Sequence, residues 1–413
     1  ARLYDAFSNS PIDKGSDVVY INVTKDGSWG KWASSTSSGY LTINFDPDCS
    51  YTIGEKKWKA VFAGDQYYFG NESENFTVYI YSELYGSVLQ PNGEVFAEGE
   101  TLQIIGKLQD ECGTVNGSNV VFRVYPGDLS CSPEPANDLG NGNYSCSFAT
   151  TGLLGWYDVS MNASKNYYND SYVLKTNAFQ VRRKPIFSNQ QISPATEGWG
   201  YNFTLSVTVT DADIGDEVNV SLWKSYDGLS WTYVDSVLKT GCTGGCYVEL
   251  HPQFSCSDYL NGPTVYFKFN ASDTYGLKNE TSAFSATLQK DDVSFYATEF
   301  PSVINREGEE AKRFMVRVYD SDREAWIDNS QEIVKGYFWF TKEGGESWDY
   351  GHYTTTNSSG YMYVDFDPNC SYAAGYQYWK VGILDNSCYA DSNSTAAGFT
   401  VKGQLKSNLY LPE

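Results

Sequence analysis

Apolar and polar residues alternate along several stretches of this chain, which is the pattern of a β-strand with one buried face. In the stretch 203–210, Phe203, Leu205, Val207 and Val209 fall on one face. No stretch sustains the periodicity of an amphipathic helix. The chain is rich in Tyr, Thr, Val and Trp, and its 37 glycines suit tight turns. The pattern therefore predicts an all-β protein.

The same hairpin signal, a Gly-containing turn that ends in tryptophan, occurs three times. The three tryptophans are Trp29, Trp231 and Trp348. A matching segment near residue 130 has Cys131 in place of the tryptophan. One turn repeated along the chain indicates that the protein consists of repeats.

The repeat is clearest between the two ends of the chain. Residues 37–60 return as residues 358–381 without a gap, and 13 of 24 residues are identical. Modules of about 100 residues suit β-sandwiches. We predict four sandwich modules, numbered one to four, and a short tail. Their ranges are 1–81, 82–184, 185–290 and 291–401, with the tail at 402–413.

The ends of the chain cut through the repeat. Residues 1–5 align with residues 316–320, so module one is predicted to lack its opening strand. Residues 401–413 align with residues 78–92, which leave module one and open module two, so Val401 is matched with Val78 and the tail is predicted to be a spare strand. The apolar residues on one face of this strand are Leu405, Leu409 and Leu411.

Three hypotheses fit these ends. In the first, the tail of one molecule completes module one of the next molecule by β-strand addition. In the second, the chain is a segment of a longer repeat protein. In the third, the tail simply ends without a partner.

Cysteines and sequons indicate an oxidising, extracellular location. The chain has nine cysteines, and 14 of its 28 asparagines open an Asn-x-Ser/Thr sequon, where chance would give roughly five. We therefore predict N-linked glycans. The candidate acceptors are Asn22, Asn71, Asn75, Asn116, Asn143, Asn162, Asn169, Asn202, Asn219, Asn270, Asn279, Asn357, Asn369 and Asn393.

Charge and hydropathy restrict the partners. The net charge of −22 argues against nucleic acid, which needs a basic surface. No run of 18 apolar residues and no signal segment occur in the sequence. We expect a mature or internal piece without a membrane span.

Three disulfides are predicted inside single modules. They are Cys370–Cys388 in module four, Cys131–Cys146 in module two and Cys242–Cys246 in module three. A zinc site at the last pair is disfavoured, because the chain contains only two histidines and zinc needs four ligands.

The other three cysteines, Cys49, Cys112 and Cys256, have no clear partner within their own module. Cys49, with which Cys256 aligns, is expected to be a buried thiol or a bridge to a neighbouring molecule. The pairing of Cys112 stays open.

Carboxylates recur at one point of every module, the turn after its second strand. The turn residues are Asp5, Asp110, Asp211 and Asp320. The densest group is Asp211, Asp213 and Asp216 in module three. Oxygen ligands on a loop suit calcium, which would stiffen a joint between modules. The alternative is a solvated turn in which Asp caps backbone amides. We expect that the chain requires no cofactor, and calcium is the one candidate ligand.

Aromatic residues make up 16% of the chain and have two interpretations. Trp58 and Trp379 recur in alternating strands, which predicts core positions. The Tyr-rich loops at 66–69 and 166–169 are candidate sugar-binding surfaces. No nucleophile elbow, phosphate loop or HExxH motif occurs, and no carboxylate pair stands out, so we expect no enzyme.

The strings FDPDCSY and FDPNCSY, the Trp-Lys strand after each, and the strand end at 209–213 resemble tandem immunoglobulin-like repeats of prokaryotic, particularly archaeal, cell-surface proteins. This resemblance implies stalks, sheaths, lattices or filaments, and it transfers no catalytic residues. We expect a structural subunit of an extracellular filament, sheath or surface layer that polymerises head to tail with copies of itself. The alternative is an adhesin or carbohydrate-binding stalk, or a segment of a longer surface protein.

Overall fold

The secondary structure consists almost entirely of β-strands, so the all-β prediction is confirmed. The computed structural model describes residues 1–308, 310–345 and 347–408. The chain divides into two compact units, residues 1–183 and 184–413, which we describe separately. Among the described residues, no helix has the length and apolar character needed to cross a membrane.

The first unit contains nineteen strands in its described residues. They are β1 (Val19–Thr24), β2 (Trp29–Ala33), β3 (Thr36–Ser37), β4 (Tyr40–Leu41), β5 (Gly54–Phe62), β6 (Asn71–Glu72), β7 (Phe76–Ile80), β8 (Ser82–Glu83), β9 (Tyr85–Gln90), β10 (Glu94–Ala97), β11 (Thr101–Asp110), β12 (Gly113–Thr114), β13 (Asn119–Tyr125), β14 (Leu129–Ser130), β15 (Ser132–Gly140), β16 (Asn143–Ala149), β17 (Gly155–Ser164), β18 (Tyr168–Asn169) and β19 (Ser171–Arg182).

The described part of the second unit contains nineteen more strands, one helix and one 3-10 turn. The strands are β20 (Ile186–Ser193), β21 (Thr196–Gly198), β22 (Thr204–Thr210), β23 (Glu217–Ser225), β24 (Thr232–Thr240), β25 (Cys246–Leu250), β26 (Thr264–Asp273), β27 (Lys278–Glu280), β28 (Phe284–Gln289), β29 (Val293–Glu299), β30 (Val303–Asn305), β31 (Lys312–Asp320), β32 (Ala325–Trp326), β33 (Lys335–Phe340), β34 (His352–Thr355), β35 (Tyr361–Phe366), β36 (Gly375–Ile383), β37 (Ser392–Asn393) and β38 (Ala397–Lys402). The 3-10 turn is Cys242–Gly244 and the helix is α1 (Cys256–Asn261).

Two sheets enclose a core in each of the segments predicted as modules two, three and four. In module two these sheets have the orders β10-β19-β17-β13-β14 and β12-β11-β16-β15, with β9 on β11. Module three uses β20-β22-β25 and β21-β28-β26-β23-β24, and module four uses β29-β31-β32 and β30-β38-β36-β33-β34. A short opening strand runs parallel to the last strand in each case, as β10 on β19, β21 on β28 and β30 on β38.

Module one has only one complete sheet, with the order β2-β1-β5-β6 and β7 on β5. Opposite it, Arg2 bridges Tyr40, as Arg317 on β31 pairs with Tyr361. Residues 1–5 therefore hold the place of the second half of β31. No described residue pairs with the outer edge of β7, where the other modules have their parallel opening strand.

The sheet register shifts one part of the sequence alignment by two residues. Gly54 pairs with Ile80, and its equivalent Gly375 pairs with Val401. Val401 therefore corresponds to Ile80, and not to Val78 as the sequence suggested. Both strands read Phe-Thr-Val, at 76–78 and at 399–401, and this identity suggested a register that the strand pairing corrects.

A repeated cation–π contact explains the tryptophan of the hairpin signal. The Nζ atom of Lys59 lies 4.8 Å from the ring of Trp29, and Lys380 lies 4.9 Å from Trp348. In module three, Lys268 lies 4.8 Å from the Trp231 ring. A lysine stem covers the ring while the ammonium group stays near water.

The disulfides only partly follow the sequence prediction. Cys131 bonds Cys146 and Cys242 bonds Cys246, which are the pairs expected from the sequence. The prediction of Cys370–Cys388 is wrong: Cys388 bonds Cys256 of module three, with a Cα–Cα distance of 5.4 Å. Cys370 is exposed and unbonded.

The expectation of a buried thiol or an intermolecular bridge at Cys49 is also wrong. Cys49 bonds Cys112 of module two, and the two Cα atoms lie 5.5 Å apart. Both corrections have one physical reason. In each case the partner cysteine belongs to a neighbouring module. Only tertiary packing brings the two cysteines within bonding distance, so the sequence of one module does not reveal the pair.

Alkylation of the purified chain before reduction should label Cys370 and no other cysteine. Peptide mapping under non-reducing conditions should then recover Cys49 linked to Cys112 and Cys256 linked to Cys388. A peptide that links Cys370 to Cys388 would contradict the structure. Labelling after full reduction provides the control, since all nine cysteines should then react.

Candidate functional site

Phe314 of module four shows what the first half of β31 contributes to the core of a sandwich. Phe314, on β31, is fully buried. Its ring makes edge-on contacts with several aromatic rings at centroid distances of 4.8 to 6.1 Å. These rings belong to Phe340, Trp379, Phe399 and Phe366. Such pairs add stability beyond the burial of their surface.

Module one has equivalent surroundings, but the repeat places the counterpart of Phe314 before residue 1, and no described residue fills that position. The sheet register and the repeat place Val23, Phe45, Trp58 and Val78 where module four has its four aromatic rings. These four side chains, with Ile21 and Ile43, line a cavity of about 170 Å³. Trp58 is consequently half-buried, whereas Trp379 is 3% exposed. The core prediction thus fits Trp379 better than Trp58.

A second, larger cavity of about 420 Å³ lies beside the first four residues of the chain. Its apolar lining includes Ala1, Leu3, Val19, Leu41, Trp58, Phe62 and Phe76. The core of module one comprises only seven buried apolar residues, compared with twenty in module two. Module one therefore has an open apolar groove beside the unpaired edge of β7.

The tail carries the apolar residues of the segment 84–88, which opens module two ahead of β10. Because Val401 corresponds to Ile80, Leu405 corresponds to Leu84 and Leu409 corresponds to Val88. Leu84 and Val88 are buried in the core of module two. Leu405 is 97% exposed, and Leu409 and Leu411 lie outside the described residues.

The end of module one that bears residues 4–8 and 65–69 exposes large aromatic side chains. Phe7 and Phe69 are fully exposed, and Tyr67 is 76% exposed. The repeat aligns Tyr68 with Tyr389, which in module four packs edge-on against Trp199 of module three. This aromatic end, defined by Phe7, Tyr67 and Phe69, is therefore the equivalent of a face that contacts a preceding module.

The second Tyr-rich loop, at 166–169, contacts module one. Tyr167 stacks on Tyr79 with ring centroids 5.9 Å apart and meets Tyr81 edge-on. Next to it, β18 pairs in parallel with β8. These aromatic rings help to fix modules one and two to each other, so they are not an open sugar platform.

All four carboxylate turns share one local geometry. One oxygen of the first Asp in each turn accepts backbone amide hydrogens from two or three residues further on. The N···O distances are 2.8 Å from Phe7 to Asp5, 2.8 Å from Cys112 to Asp110, 3.0 Å from Asp213 to Asp211 and 3.2 Å from Asp322 to Asp320. The capped-turn interpretation therefore applies to one oxygen of each side chain.

The second oxygen distinguishes the modules. In module two, Asp110 accepts a hydrogen bond from the Tyr168 hydroxyl at 3.1 Å, and burial together with this carboxylate raises the pKa of Tyr168 to about 12. The Oδ2 atoms of Asp211 and Asp320 are buried without a hydrogen bond. Burial raises the pKa of both carboxyl groups. A buried carboxylate oxygen without a donor is costly, which makes these two turns candidate ligand sites.

The structure brings Asp211, Asp213 and Asp216 together. One oxygen from each side chain lies within 4.8 Å of the others, and Asp211 and Asp216 are buried. The carboxylates of Asp213, Asp216 and Asp273 raise the pKa of Asp211 beyond the effect of burial. Three carboxylates on a tight loop form the kind of oxygen cage that calcium occupies.

The 14 sequon asparagines all reach the surface. Ten are exposed and four, Asn22, Asn143, Asn270 and Asn279, are partly buried. The Asn279 amide also donates a hydrogen bond to the Pro185 carbonyl at 2.9 Å. These positions leave the predicted glycosylation sterically open, and occupancy stays a prediction.

Comparison with known proteins gave no match among family models and none among curated sequences. Among solved structures, a tetra-tandem repeat from the extending region of a large adhesion protein has 11% identity and a TM-score of 0.36, covering 95% of this chain and 94% of that one. A Ca²⁺-stabilised, ice-binding adhesin of an Antarctic bacterium has 14% identity and a TM-score of 0.27, with 93% and 90% covered. The eight N-terminal immunoglobulin domains of Down Syndrome Cell Adhesion Molecule have 13% identity and a TM-score of 0.36, with 93% and 45% covered. At these values the similarities assign no function to this chain.

Calcium should raise the melting temperature of the chain, and Asp213→Ala should reduce that increase. A ligand at 100 times its dissociation constant stabilises the folded state by about 2.7 kcal/mol. Differential scanning calorimetry with calcium and with a chelator measures the effect. Asp235→Ala, at an exposed position of the same module, is the matched control and should keep the full response. An unchanged response in Asp213→Ala would argue against the site.

Proposed function

We propose that the chain is a structural subunit of an extracellular filament, sheath or surface layer, in which the tail of one copy completes module one of the next. The observation that carries this proposal is the free edge of residues 1–5 beside the open apolar groove of module one: no described residue pairs with them on the side where module two has β9 on β11. An edge strand beside exposed core attracts an added strand.

The tail has the residues that such a groove needs. Leu405 and Leu409 would take the places of Leu84 and Val88, which are both buried in module two. Val88 pairs with Gly106 on β11. The shared turn makes Asp5 the counterpart of Asp110, and Ala1 is therefore the counterpart of Gly106. In this register the tail runs alongside residues 1–5. Burial of each leucine contributes about 1.5–3 kcal/mol, in addition to the hydrogen bonds of the added strand.

The aromatic end of module one also supports a joint between copies. Phe7 lies two residues after Asp5 and Cys112 lies two residues after Asp110, so Phe7 corresponds to Cys112. Tyr67 likewise aligns with Cys388. Both cysteines bond the module that precedes their own. Exposed aromatic side chains thus stand where the joints inside the chain have cysteines. In the proposed polymer these rings pack against the end of module four in the preceding copy.

An extracellular role agrees with the chemistry of the rest of the chain. Four disulfides persist in an oxidising environment, and every sequon asparagine reaches the surface. We assign the chain a structural role with glycans and other copies of itself as partners, and no catalytic role.

Substitution in the tail should disrupt assembly according to the face that is changed. Leu409→Lys should abolish polymers, because it places a charge where the groove takes an apolar side chain. Asn408→Lys, the same new residue at the neighbouring position, should leave them intact because it lies on the opposite face of the strand. Sedimentation and negative-stain electron microscopy measure polymer length. Equal assembly of both variants would sink the proposed joint.

The state of Cys370 separates this proposal from a longer repeat protein. Cys370 aligns with Cys49 and Cys256, which each bond the following module. If the following module is module one of another copy, it offers aromatic rings at the facing positions, so Cys370 should remain alkylatable in native assemblies. Mass spectrometry that finds Cys370 bonded to a peptide foreign to this sequence would favour the longer protein instead.

A further inference from the structure

A second group of carboxylates lies at the joint between modules three and four, inside the second unit. Asp291 follows β28, forms a parallel bridge with Tyr389 and is fully buried. Asp320 ends β31 and is also fully buried, and Asp322 lies partly buried in the turn after it. The loop at Gly198–Gly200 of module three covers the group.

Backbone amides hold these carboxylates in fixed orientations. The Gly200 amide donates to Asp291 Oδ1 at 2.8 Å, and the Asp292 amide donates to Asp322 Oδ2 at 2.7 Å. A Cβ atom on Gly198 would lie 2.7 Å from Asp291 Oδ1 and still closer to Asp322 Oδ2. One on Gly200 would collide with Asp291 Oδ2. The loop therefore needs glycine at both positions to let the carboxylates approach its backbone.

These hydrogen bonds leave oxygens without a donor. Asp291 Oδ2 and Asp320 Oδ2 are buried and accept no hydrogen bond, although both side chains are fully enclosed. In module two, by contrast, the second oxygen of the equivalent Asp110 accepts the Tyr168 hydroxyl. A fully enclosed carboxylate oxygen requires a proton donor or a cation.

The local charge indicates a cation with two positive charges. Arg323 approaches Asp320, with Nη1 4.0 Å from Oδ2, which is too long for a hydrogen bond. Three carboxylates and one guanidinium group sum to a charge of −2. Burial and the neighbouring Asp320 raise the pKa of Asp291 well above its usual range, so buried charge of this size is either neutralised by a proton or paired with a metal.

We propose that Asp291, Asp320 and Asp322 bind a divalent cation of the calcium class at the joint between modules three and four. Carboxylate oxygens are hard ligands, and several of them arranged irregularly suit calcium better than the strict octahedron of magnesium. The ligands come from the linker and from the end of β31, beneath a module-three loop. The cation therefore fastens the linker to module four next to Trp199, whose indole Nε1 donates to the Cys388 carbonyl at 2.8 Å.

The test uses the full chain with Asp211→Asn, Asp213→Asn and Asp216→Asn, which together remove the carboxylate group of module three. Titration calorimetry with calcium chloride should then show one remaining high-affinity site. Adding Asp291→Asn should weaken calcium binding at least tenfold, because it removes a charged ligand but keeps the shape of the side chain. Asp367→Asn is the matched control, since Asp367 is exposed in the same module and has no contact with the three carboxylates, and it should change the affinity less than threefold.

Terbium luminescence gives an independent readout. Terbium occupies calcium sites, and Trp199 beside the site should sensitise its emission. Asp291→Asn and Trp199→Phe should each reduce the emission excited through tryptophan, while Asp367→Asn should not. If Asp291→Asn fails to fold by circular dichroism, Asp322→Asn replaces it in both measurements.

The proposal is overturned if the chain lacking the module-three carboxylates binds no calcium, which would leave a water or a proton to satisfy these oxygens. It is also overturned if calcium binds equally well with and without Asp291→Asn. Tighter binding of magnesium than of calcium would overturn the assignment to the calcium class.

Discussion

The core between two β-sheets is closed only when strands cover the gaps at the edges of the sheets. Phe314 shows how much one strand contributes, because its ring fills the space among four other aromatic rings of module four. Module one retains the surroundings of that ring without the ring itself, and a cavity and an unpaired edge result. The proposed assembly answers the same constraint at a neighbouring edge, since a strand added beside residues 1–5 pairs free backbone groups and covers the apolar groove.

The joints inside each unit are held by several kinds of contact at once. Between modules three and four, the Cys256–Cys388 disulfide lies beside the Trp199–Tyr389 ring contact and the hydrogen bond to the Cys388 carbonyl. Between modules one and two, a disulfide is combined with stacked tyrosines. Covalent bonds limit the separation of the modules, and the packed rings limit their rotation. A stalk or filament requires this resistance to both motions.

One local turn serves different purposes in successive modules. An aspartate oxygen caps the same turn in every module, which the short-range sequence alone explains. The surroundings of the other oxygen differ: in module two it meets a tyrosine hydroxyl, and in modules three and four it is enclosed among other carboxylates. The same turn is therefore structural in one place and a candidate ligand site in another.

The sequence by itself determined the strand content, the repeat and the carboxylate turns, because these depend on alternation and on residues close together in the chain. It also indicated the Cys131–Cys146 and Cys242–Cys246 pairs, whose members lie 15 and 4 residues apart. Only the tertiary structure decided that Cys49 and Cys388 bond neighbouring modules, that Val401 corresponds to Ile80, and that Asp291 joins Asp320. The physical reason is that these features depend on which surfaces meet when separate modules pack, and alternation within one strand carries no information about that contact.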